Sequence, residues 1–378
     1  MSYRNVVYNG RNRCVNLFTW DTDGKRVMHE CSFEPYLYLE NTGGEKTSIY
    51  GTKLRKRKFN TSYDRSRFVR ESNVKRVFEN MPPAQQFLLD LYWEQNEEDK
   101  FSAHPLKTCL LDIETYSPDT FPDPENPTHV VNLITCYDNF SKTFHTFGIK
   151  PYNGKGVDNL NYVYCEDERE MFIRFIEYLE SDYPDILSGW NSEFFDIPYI
   201  INRIEHILGQ EYVNRLSPLG RVHFRAIKGK FGKEQKRYYI EGISCLDYLD
   251  VYRRFCLKLR ESYKLDAIGE LELGQRKIDY GDTNLATLSD EDWDTFIDYN
   301  IQDVNLLVRL EEKLQYVPLL RKLSYVGLTT LEGAMGTIGV INGALCIKAR
   351  KRGEVIATFL RNADTGKNPG AYVAEPKN

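Results

Sequence analysis

The chain has 378 residues and a formal net charge of −5 at pH 7, which is long enough for two or three domains. Its content of 41% hydrophobic and 28% charged residues is ordinary for a soluble globular protein, and no run approaches the roughly 18 apolar residues of a membrane span. The N-terminus lacks the apolar segment of a secretory signal. The eight cysteines show no Cys-x-x-Cys or zinc spacing, so we expect reduced thiols in a cytoplasmic protein.

Residues 1–40 alternate between apolar and polar side chains around two turn sequences, Asn9-Gly10 and 21–24. We expect strands at 6–8, 15–20 and 26–38 that form antiparallel hairpins. The basic run that follows holds ten Lys or Arg between Lys53 and Arg76, against two acidic residues. Such a run could bind phosphates, although a solvated surface is the better explanation when the run is considered alone.

A different pattern begins near residue 107. Strand-like runs at 108–115, 130–137, 142–147, 185–190 and 243–248 are interleaved with helical periodicity from about Asp167, over 198–208, and from an N-cap at Ser289 to about Leu314. This alternation predicts an α/β sheet that is covered on both faces. After Gly333 we expect glycine-rich turns and a basic stretch at 348–352.

Two carboxylates interrupt the most apolar of these strands. Asp112 and Glu114 lie in Leu-Leu-Asp-Ile-Glu-Thr, 110–115, and the period of two places both on one face. Because unpaired buried carboxylates are costly, two of them on a core strand call for a cation. An edge strand with a solvated polar face would also explain this fragment by itself.

Two further motifs carry acidic residues. In Asn191-Ser-Glu-Phe-Phe195-Asp196, the aspartate stands at the start of the predicted helix 198–208, where it could equally be a helix cap. In Tyr299-Asn-Ile-Gln-Asp303, the tyrosine and the aspartate are four residues apart and share one face of the long helix. Each motif is weak evidence when it is considered alone.

Together, Asp-x-Glu, Asn-x-x-x-Phe-Asp and Tyr-x-x-x-Asp occur in the order of the Exo I, Exo II and Exo III motifs. The chain therefore resembles the DEDDy 3′→5′ exonucleases, which have an RNase H-like fold. Several segments also look like the replicative family B DNA polymerases of T-even-type bacteriophages, among them 112–138, 188–191, 217–222, 247–250 and 369–377. Residues 41–106 match poorly.

The resemblance implies a metal-dependent mechanism. Asp112, Glu114, Asp196 and Asp303 would hold two divalent ions, Mg²⁺ or Mn²⁺, with Asp112 bridging both and Asp196 acting largely through water. Tyr299 would orient the attacking water, since its ordinary pKa of about 10 makes it a poor base. The expected reaction is hydrolysis of the terminal phosphodiester at a DNA 3′ end, which releases a nucleoside 5′-monophosphate.

The resemblance also implies DNA contacts. Phe121 would stack on terminal bases, although its place before Pro122 is explained equally well by a turn residue that packs locally. Asn191 and Phe195 would line the same site. Lys277 would lie near the scissile phosphate. The stretch from Arg221 to Arg237, with seven Lys or Arg against one acidic residue, predicts a β-hairpin that parts primer from template, with the phosphate contacts assigned to Lys228, Lys230 and Lys233.

The implied organisation is an α+β N-terminal domain built from β-hairpins at 1–106, an RNase H-like exonuclease domain at 107–320, and a return to the first domain at 321–378. The expected partners are single-stranded DNA 3′ ends and primer-template, with RNA as a further candidate for the N-terminal domain. We find no Ser-Leu-Tyr-Pro-Ser, Lys-x-x-x-Asn-x-x-Tyr-Gly or Asp-Thr-Asp-Ser motif. We therefore expect a fragment without the polymerase palm, fingers and thumb, either engineered or the product of a split gene.

Two other functions fit parts of the pattern. A freestanding DEDD nuclease that trims RNA would share the carboxylates, although Tyr299 stands where the DEDDh enzymes have histidine. A non-catalytic nucleic-acid-binding module could keep the fold, although all four acidic positions are filled. Relative rates on RNA and DNA would test the first alternative, and binding of Mg²⁺ would test the second.

Overall fold

The structure is a computed structural model that describes residues 3–72, 74, 76–95, 105–154, 157–228, 234–278 and 285–358. The strands in this part of the chain are β1 Asn5–Asn9, β2 Cys14–Trp20, β3 Arg26–Ser32, β4 Tyr36–Glu40, β5 Lys46–Ser48, β6 Lys53–Lys58, β7 Val77–Phe78, β8 Thr108–Thr115, β9 Val131–Asp138, β10 Thr143–Gly148, β11 Leu160–Tyr164, β12 Ile186–Gly189, β13 Val222–Lys228, β14 Glu234–Ile240, β15 Ser244–Asp247, β16 Glu354–Val355 and β17 Ala357–Thr358. The helices are α1 Ser62–Glu71, α2 Pro83–Tyr92, α3 Glu168–Ser181, α4 Asp196–Leu208, α5 Gln210–Arg215, α6 Tyr248–Phe255, α7 Leu265–Leu273, α8 Leu285–Glu291, α9 Trp293–Leu314, α10 Tyr316–Val326, α11 Leu331–Ala334 and α12 Thr337–Arg350. None of these helices is long and apolar enough to cross a membrane.

A six-stranded mixed sheet organises the middle of the chain. Its strand order is β11-β10-β9-β8-β12-β15. Strand β9 runs antiparallel to both of its neighbours, whereas β8, β12 and β15 are parallel to one another. The mixed α/β class predicted from the alternating pattern is therefore confirmed.

Helices cover both faces of this sheet, and the alternation along β8 decides which side chains face which layer. Leu110 belongs to the core that is shared with α9, while Leu111 and Ile113 belong to the core that is shared with α3 and α4. Asp112 and Glu114 have the same parity as Leu110, so they face α9. The sheet thus directs two carboxylates toward a long helix.

The contact between β8 and β12 depends on a glycine at the end of β12. A Cβ atom on Gly189 would lie 2.5 Å from the carbonyl oxygen of Leu111, which is closer than atoms can pack. The chain then turns through Asn191, whose φ of 66° is in the left-handed region that asparagine tolerates better than most residues. This turn leads directly into α4.

Helix α9 is shorter than the predicted helix. Ser289 was expected as its N-cap, but this residue lies within α8, where its hydroxyl donates to the carbonyl oxygen of Ala286. The cap is Asp292, whose side chain accepts from the backbone N–H of Thr295 at 3.1 Å. The acidic run after Ser289 offered several possible caps, and the expectation of Ser289 was wrong.

The N-terminal hairpins form two separate sheets. Strands β1, β2 and β3 make an antiparallel sheet, whereas β4 belongs to a second sheet with the order β16-β5-β6-β4-β7-β17. The strand expected over 26–38 is therefore interrupted between Ser32 and Tyr36. Pro35, which has no N–H to donate, stands at this break.

The described residues after Gly333, up to 358, are mainly helical, so the expectation of glycine-rich turns was wrong for this part, and the rest of the segment lies outside the described residues. Gly343 lies inside α12, where a Cβ atom would come within 1.8 Å of the carbonyl oxygen of Gly327. The glycine permits close packing of α12 on the end of α10, and Gln85 from α2 donates to the same carbonyl at 2.9 Å. Strands β16 and β17 then pair with β5 and β7.

Buried polar contacts join the β1-β2-β3 sheet to the central sheet. Arg4 donates to both carboxylate oxygens of Asp185 at 2.6–2.9 Å, and Asp185 also accepts from the backbone N–H of Lys107 at 2.8 Å. Arg26 donates to the carbonyl oxygens of Pro184 and Gly242. The two sheets are therefore held together by the buried ion pair of Arg4 with Asp185 and by the hydrogen bonds of Arg26.

Candidate metal and nucleic-acid site

Three of the four predicted carboxylates converge between β8 and α9. Carboxylate oxygens of Asp112, Glu114 and Asp303 all lie within 4.8 Å of one another. Glu114 and Asp303 are only 9% and 3% exposed. Since β8 supplies two of these groups and one turn of α9 supplies the third, the cluster is held by regular secondary structure.

The fourth carboxylate lies beside this cluster. Asp196 is the first residue of α4 and is 3% exposed. One of its oxygens accepts from the backbone N–H of Ile113 at 3.2 Å, so α4 is tied to β8 between Asp112 and Glu114. The structure therefore places Asp196 next to the three converging carboxylates.

Burial raises the pKa values of all four groups, and repulsion within the cluster adds to this at Asp112 and Glu114. Burial raises the pKa of Glu114 to about 8 and that of Asp196 to about 7. Burial, followed by the charges of Asp196 and Glu114, holds the pKa of Asp112 well above its usual range. Burial also raises the pKa of Asp303. A divalent cation would reverse these shifts, because an opposite charge favours the ionised carboxylates.

Tyr299 and Lys277 complete the cluster beside Asp303. The Lys277 ammonium donates to the Tyr299 hydroxyl at 3.1 Å and to an Asp303 carboxylate oxygen at a shorter distance. Burial lowers the pKa of Lys277, but the Asp303 carboxylate outweighs it, and the net pKa lies above the usual value. Burial raises the pKa of the Tyr299 hydroxyl, so Tyr299 stays protonated and can donate or accept a hydrogen bond.

Asn300 was not singled out by the sequence pattern, yet it contacts the cluster directly. Its amide nitrogen donates to Asp112 Oδ2 at 2.7 Å, and its side chain is fully buried. The signal that could have identified it is its spacing, three residues before Asp303 on α9, which places both on one face.

Asp247 is a second residue that sequence reasoning missed. It lies at the end of β15, is 4% exposed, and accepts from the backbone N–H groups of Asn191 and Glu193 at 3.0 and 3.3 Å. Burial raises its pKa to about 7. Asp247 thus fixes the turn that delivers Asp196, and Glu193 in that turn forms an ion pair with Arg237 on β14.

Two predicted DNA contacts form an aromatic pair beside Asp196. Phe121 is 86% exposed, and its ring centroid lies 5.9 Å from that of Phe195. An exposed Phe supported from one side offers its free face to a base. Asn191 is exposed in the adjacent turn, and its contact with DNA stays a prediction.

The basic segment at 221–237 forms the predicted hairpin. Strands β13 and β14 pair antiparallel from Val222 with Ile240 to Lys228 with Glu234. The side chain of Lys228, and Lys230 and Lys233 entirely, lie outside the described residues, so their phosphate contacts stay predictions.

The other basic run, 53–76, lies on β6 and α1 and is partly neutralised within the protein. Arg65 is buried and donates to the carbonyl oxygen of Met81. Lys56 and Lys58 have acidic partners within 4 Å, in Asp90 and Glu34. These contacts reduce the charge that the run can offer to a nucleic acid.

A cleft of about 1060 Å³ opens between β1, the base of the β13–β14 hairpin and residues 330–335. Glu193 and Asp247 line it, but Asp112, Glu114 and Asp303 do not. The chemistry of converging carboxylates, and not the size of a cavity, identifies the site.

The residues present fit a divalent cation. Asp303 Oδ1 is buried and has no hydrogen-bond partner among the described residues, although a buried carboxylate oxygen is costly to leave unsatisfied. The donor set consists of carboxylate oxygens, which suit Mg²⁺ or Mn²⁺ better than zinc. When ionised, the three carboxylates carry three negative charges, and among the described residues Lys277 supplies one positive charge beside them. A divalent cation would balance the remaining two.

Residues 73–268, just over half of the chain, match the family model of the DNA polymerase family B exonuclease domain. The chain is 28% identical to the DNA-directed DNA polymerase of Escherichia phage RB69, over 94% of this chain and 42% of that relative. It is 29% identical to the DNA-directed DNA polymerase of Enterobacteria phage T4, over 72% of this chain and 32% of the relative. The DNA polymerase delta catalytic subunit of Drosophila melanogaster is 29% identical over 57% of this chain and 20% of that subunit. The chain thus spans less than half the length of these relatives.

Proposed function

The chain belongs to the DNA polymerase family B exonuclease-domain family, and from this premise we propose that it is a proofreading 3′→5′ exonuclease. Its substrate would be the single-stranded or frayed 3′ end of DNA, and its product a deoxynucleoside 5′-monophosphate. The observation that carries the proposal is the convergence of Asp112, Glu114 and Asp303 within 4.8 Å, next to Asp196. The membership in the family confirms the kinship predicted from the three motifs.

Asp112, Glu114 and Asp303 would hold the divalent ions, with Asp196 beside them. The ions, when bound, would supply an activated water and stabilise charge on the leaving oxygen. The preference for Mg²⁺ or Mn²⁺ follows from the all-oxygen donor set.

The remaining side chains would position the substrate. Tyr299 stays protonated and would orient the attacking water by a hydrogen bond, since its raised pKa excludes it as a base at neutral pH. Lys277, held by Tyr299 and Asp303, would lie near the scissile phosphate and attract it. Phe121, supported by Phe195, would stack on a terminal base, a contact worth about 1–3 kcal/mol.

We also propose an RNase H-like fold for residues 107–320. The strand order β10-β9-β8-β12-β15, with only β9 antiparallel to the others, supports it. Residues 1–106 and 321–378 would form one N-terminal domain, which is supported by the pairing of β16 with β5 and of β17 with β7. The hairpin β13–β14 would part primer from template, and the role of RNA for the N-terminal domain rests on the resemblance alone.

The test is digestion of a 5′-labelled single-stranded DNA in the presence of Mg²⁺. We expect a ladder that shortens from the 3′ end and disappears with EDTA. Asp112→Ala should reduce the rate by roughly a thousandfold, the scale of losing one preorganised electrostatic contact to the reacting groups. Intact DNA after incubation with folded, DNA-binding wild-type protein would instead favour the non-catalytic binding module, and faster cleavage of RNA than of DNA would favour the ribonuclease.

A further inference from the structure

Asn300 lies on α9, and its side chain faces the carboxylate of Asp112 on β8. It is 0% exposed, and its Nδ2 lies 2.7 Å from Asp112 Oδ2. When a divalent cation holds Asp112 in its ionised form, this carboxylate only accepts hydrogen bonds, so the group that faces it is the NH₂ of the amide. Asn300 Oδ1 is left buried without a hydrogen-bond partner among the described residues.

Leaving Asn300 Oδ1 buried without a partner among the described residues costs free energy of folding. We therefore expect the NH₂ group to have a role at this position. A buried carbonyl oxygen without a partner costs about 1–3 kcal/mol. The orientation of the amide is therefore set by its donors. Among the described residues, the NH₂ group donates to Asp112, which stands two residues from Glu114 on one face of β8.

We propose that Asn300 is a positioning residue that fixes the side chain of Asp112, so that Asp112 lies with Glu114 and Asp303 in a cation site that is formed in advance. The inference rests on the proposed function, because it concerns the same site. The distance from the Asn300 amide to Asp112 and the burial of Asn300 carry it.

A neutral donor suits this position better than a cation. Lysine or arginine at position 300 would neutralise the carboxylates and compete with a divalent ion, as charge pairing requires. The amide satisfies one oxygen of Asp112 and leaves the negative charge of the cluster unchanged. Lys277, by contrast, pairs with Asp303 at the other side of the cluster.

The test is calorimetric titration of the full chain with Mn²⁺, using Asn300→Ala and Asn300→Leu. Alanine removes the donor and leaves a cavity, whereas leucine removes the donor and fills the space. If Asn300 acts through its hydrogen bonds, both variants should lose Mn²⁺ affinity by about 10–100-fold, the usual effect of removing a hydrogen-bond partner of a metal ligand. Exonuclease activity of both should recover at high Mn²⁺, because the defect lies in ion binding.

Asn305→Leu is the matched control. Asn305 lies on the same helix, is partly buried, and donates to Gln302 at 3.1 Å; its replacement should leave Mn²⁺ affinity unchanged. Wild-type affinity for Mn²⁺ in Asn300→Leu, or in both Asn300 variants, would overturn the inference about Asn300. The proposed function would remain intact in that case, provided that the wild-type protein binds Mn²⁺. Wild-type protein that binds no Mn²⁺ would overturn both. Circular dichroism of each variant identifies any that fails to fold. Lost affinity in folded Asn300→Leu supports the inference, and retained affinity in either folded Asn300 variant overturns it.

Discussion

Two groups of buried carboxylates among the described residues are compensated in opposite ways. Asp185 is fully buried just before β12, an inner strand of the central sheet, and both of its oxygens accept from Arg4. Glu79 is 2% exposed and accepts from Arg350 through both of its oxygens, at 3.0 and 2.7 Å. Each of these charges is neutralised by an arginine of the chain itself.

The cluster on β8 and α9 is left largely uncompensated. Among the described residues, Lys277 supplies the positive charge beside Asp112, Glu114 and Asp303, and burial raises the pKa values of all three. In the first group the paired arginine gives the buried charge a structural role, whereas several buried carboxylates that converge on one lysine call for a cation from outside. Burial alone does not distinguish the two groups; their partners do.

The largest difference between the two groups should appear on neutralising one aspartate in each. Asp185→Asn leaves the Arg4 guanidinium buried without its counter-charge, and should lower the free energy of unfolding by about 3–5 kcal/mol. Asp112→Asn, measured in EDTA, should leave this free energy unchanged or slightly higher, because it removes repulsion. Urea denaturation of both variants and of the wild type measures the effects.

The double variant Arg4→Met with Asp185→Leu sharpens this test. Removing both charges of a buried pair is tolerated better than removing one, so the double variant should lie closer to the wild type than Asp185→Asn does. Equal destabilisation by Asp185→Asn and Asp112→Asn would contradict the distinction between the two groups.

The same contrast explains how much of the fold could be predicted from the sequence. Strand β8 was predicted with its observed ends, because an apolar run with period-two alternation is a local signal. The pairing of Arg4 with Asp185 spans 181 positions, and no local pattern encodes it. The break at Pro35 and the helix around Gly343 were missed, since each depends on which sheet or helix the segment packs against.

The site divides in the same way. Asp112, Glu114, Asp196 and Asp303 stand in recognisable motifs, and the structure brings them to one place. The place of Lys277 was uncertain, because 26 positions separate it from Asp303 and spacing along the chain does not fix a distance in the fold. Asn300 and Asp247 act through hydrogen bonds to other site residues, so their roles became visible only with the geometry.

A divalent ion should stabilise only one of the two groups. Mn²⁺ at one hundred times its dissociation constant should raise the free energy of unfolding of the wild type by about 2.7 kcal/mol, because it binds the converged carboxylates of the folded state. Asp112→Asn should show little of this stabilisation. Arg4→Met should have a lower free energy of unfolding than the wild type without Mn²⁺, but Mn²⁺ should raise that free energy by the full amount. Denaturation with and without Mn²⁺ measures it, and stabilisation of Asp112→Asn equal to that of the wild type would place the ion elsewhere.

The last expected effect, which is small for each single pH unit, is a pH dependence that belongs to the uncompensated group. The folded-state pKa of Glu114 is raised to about 8, above the value of about 4.3 in an unfolded chain. The folded state therefore binds the proton more tightly, so its contribution to stability is fully present below about pH 4.3 and is lost as the pH rises to about 8. In EDTA, the free energy of unfolding of the wild type should fall relative to that of Glu114→Gln by up to about 1 kcal/mol per pH unit in this window. This is less than the 1.4 kcal/mol expected of one fully titrating proton, because neighbouring carboxylates share the shift. A saturating concentration of Mn²⁺ should abolish this difference in pH dependence, because the bound cation lowers the pKa of Glu114. A pH dependence that persists with bound Mn²⁺ would have to come from groups outside the cluster.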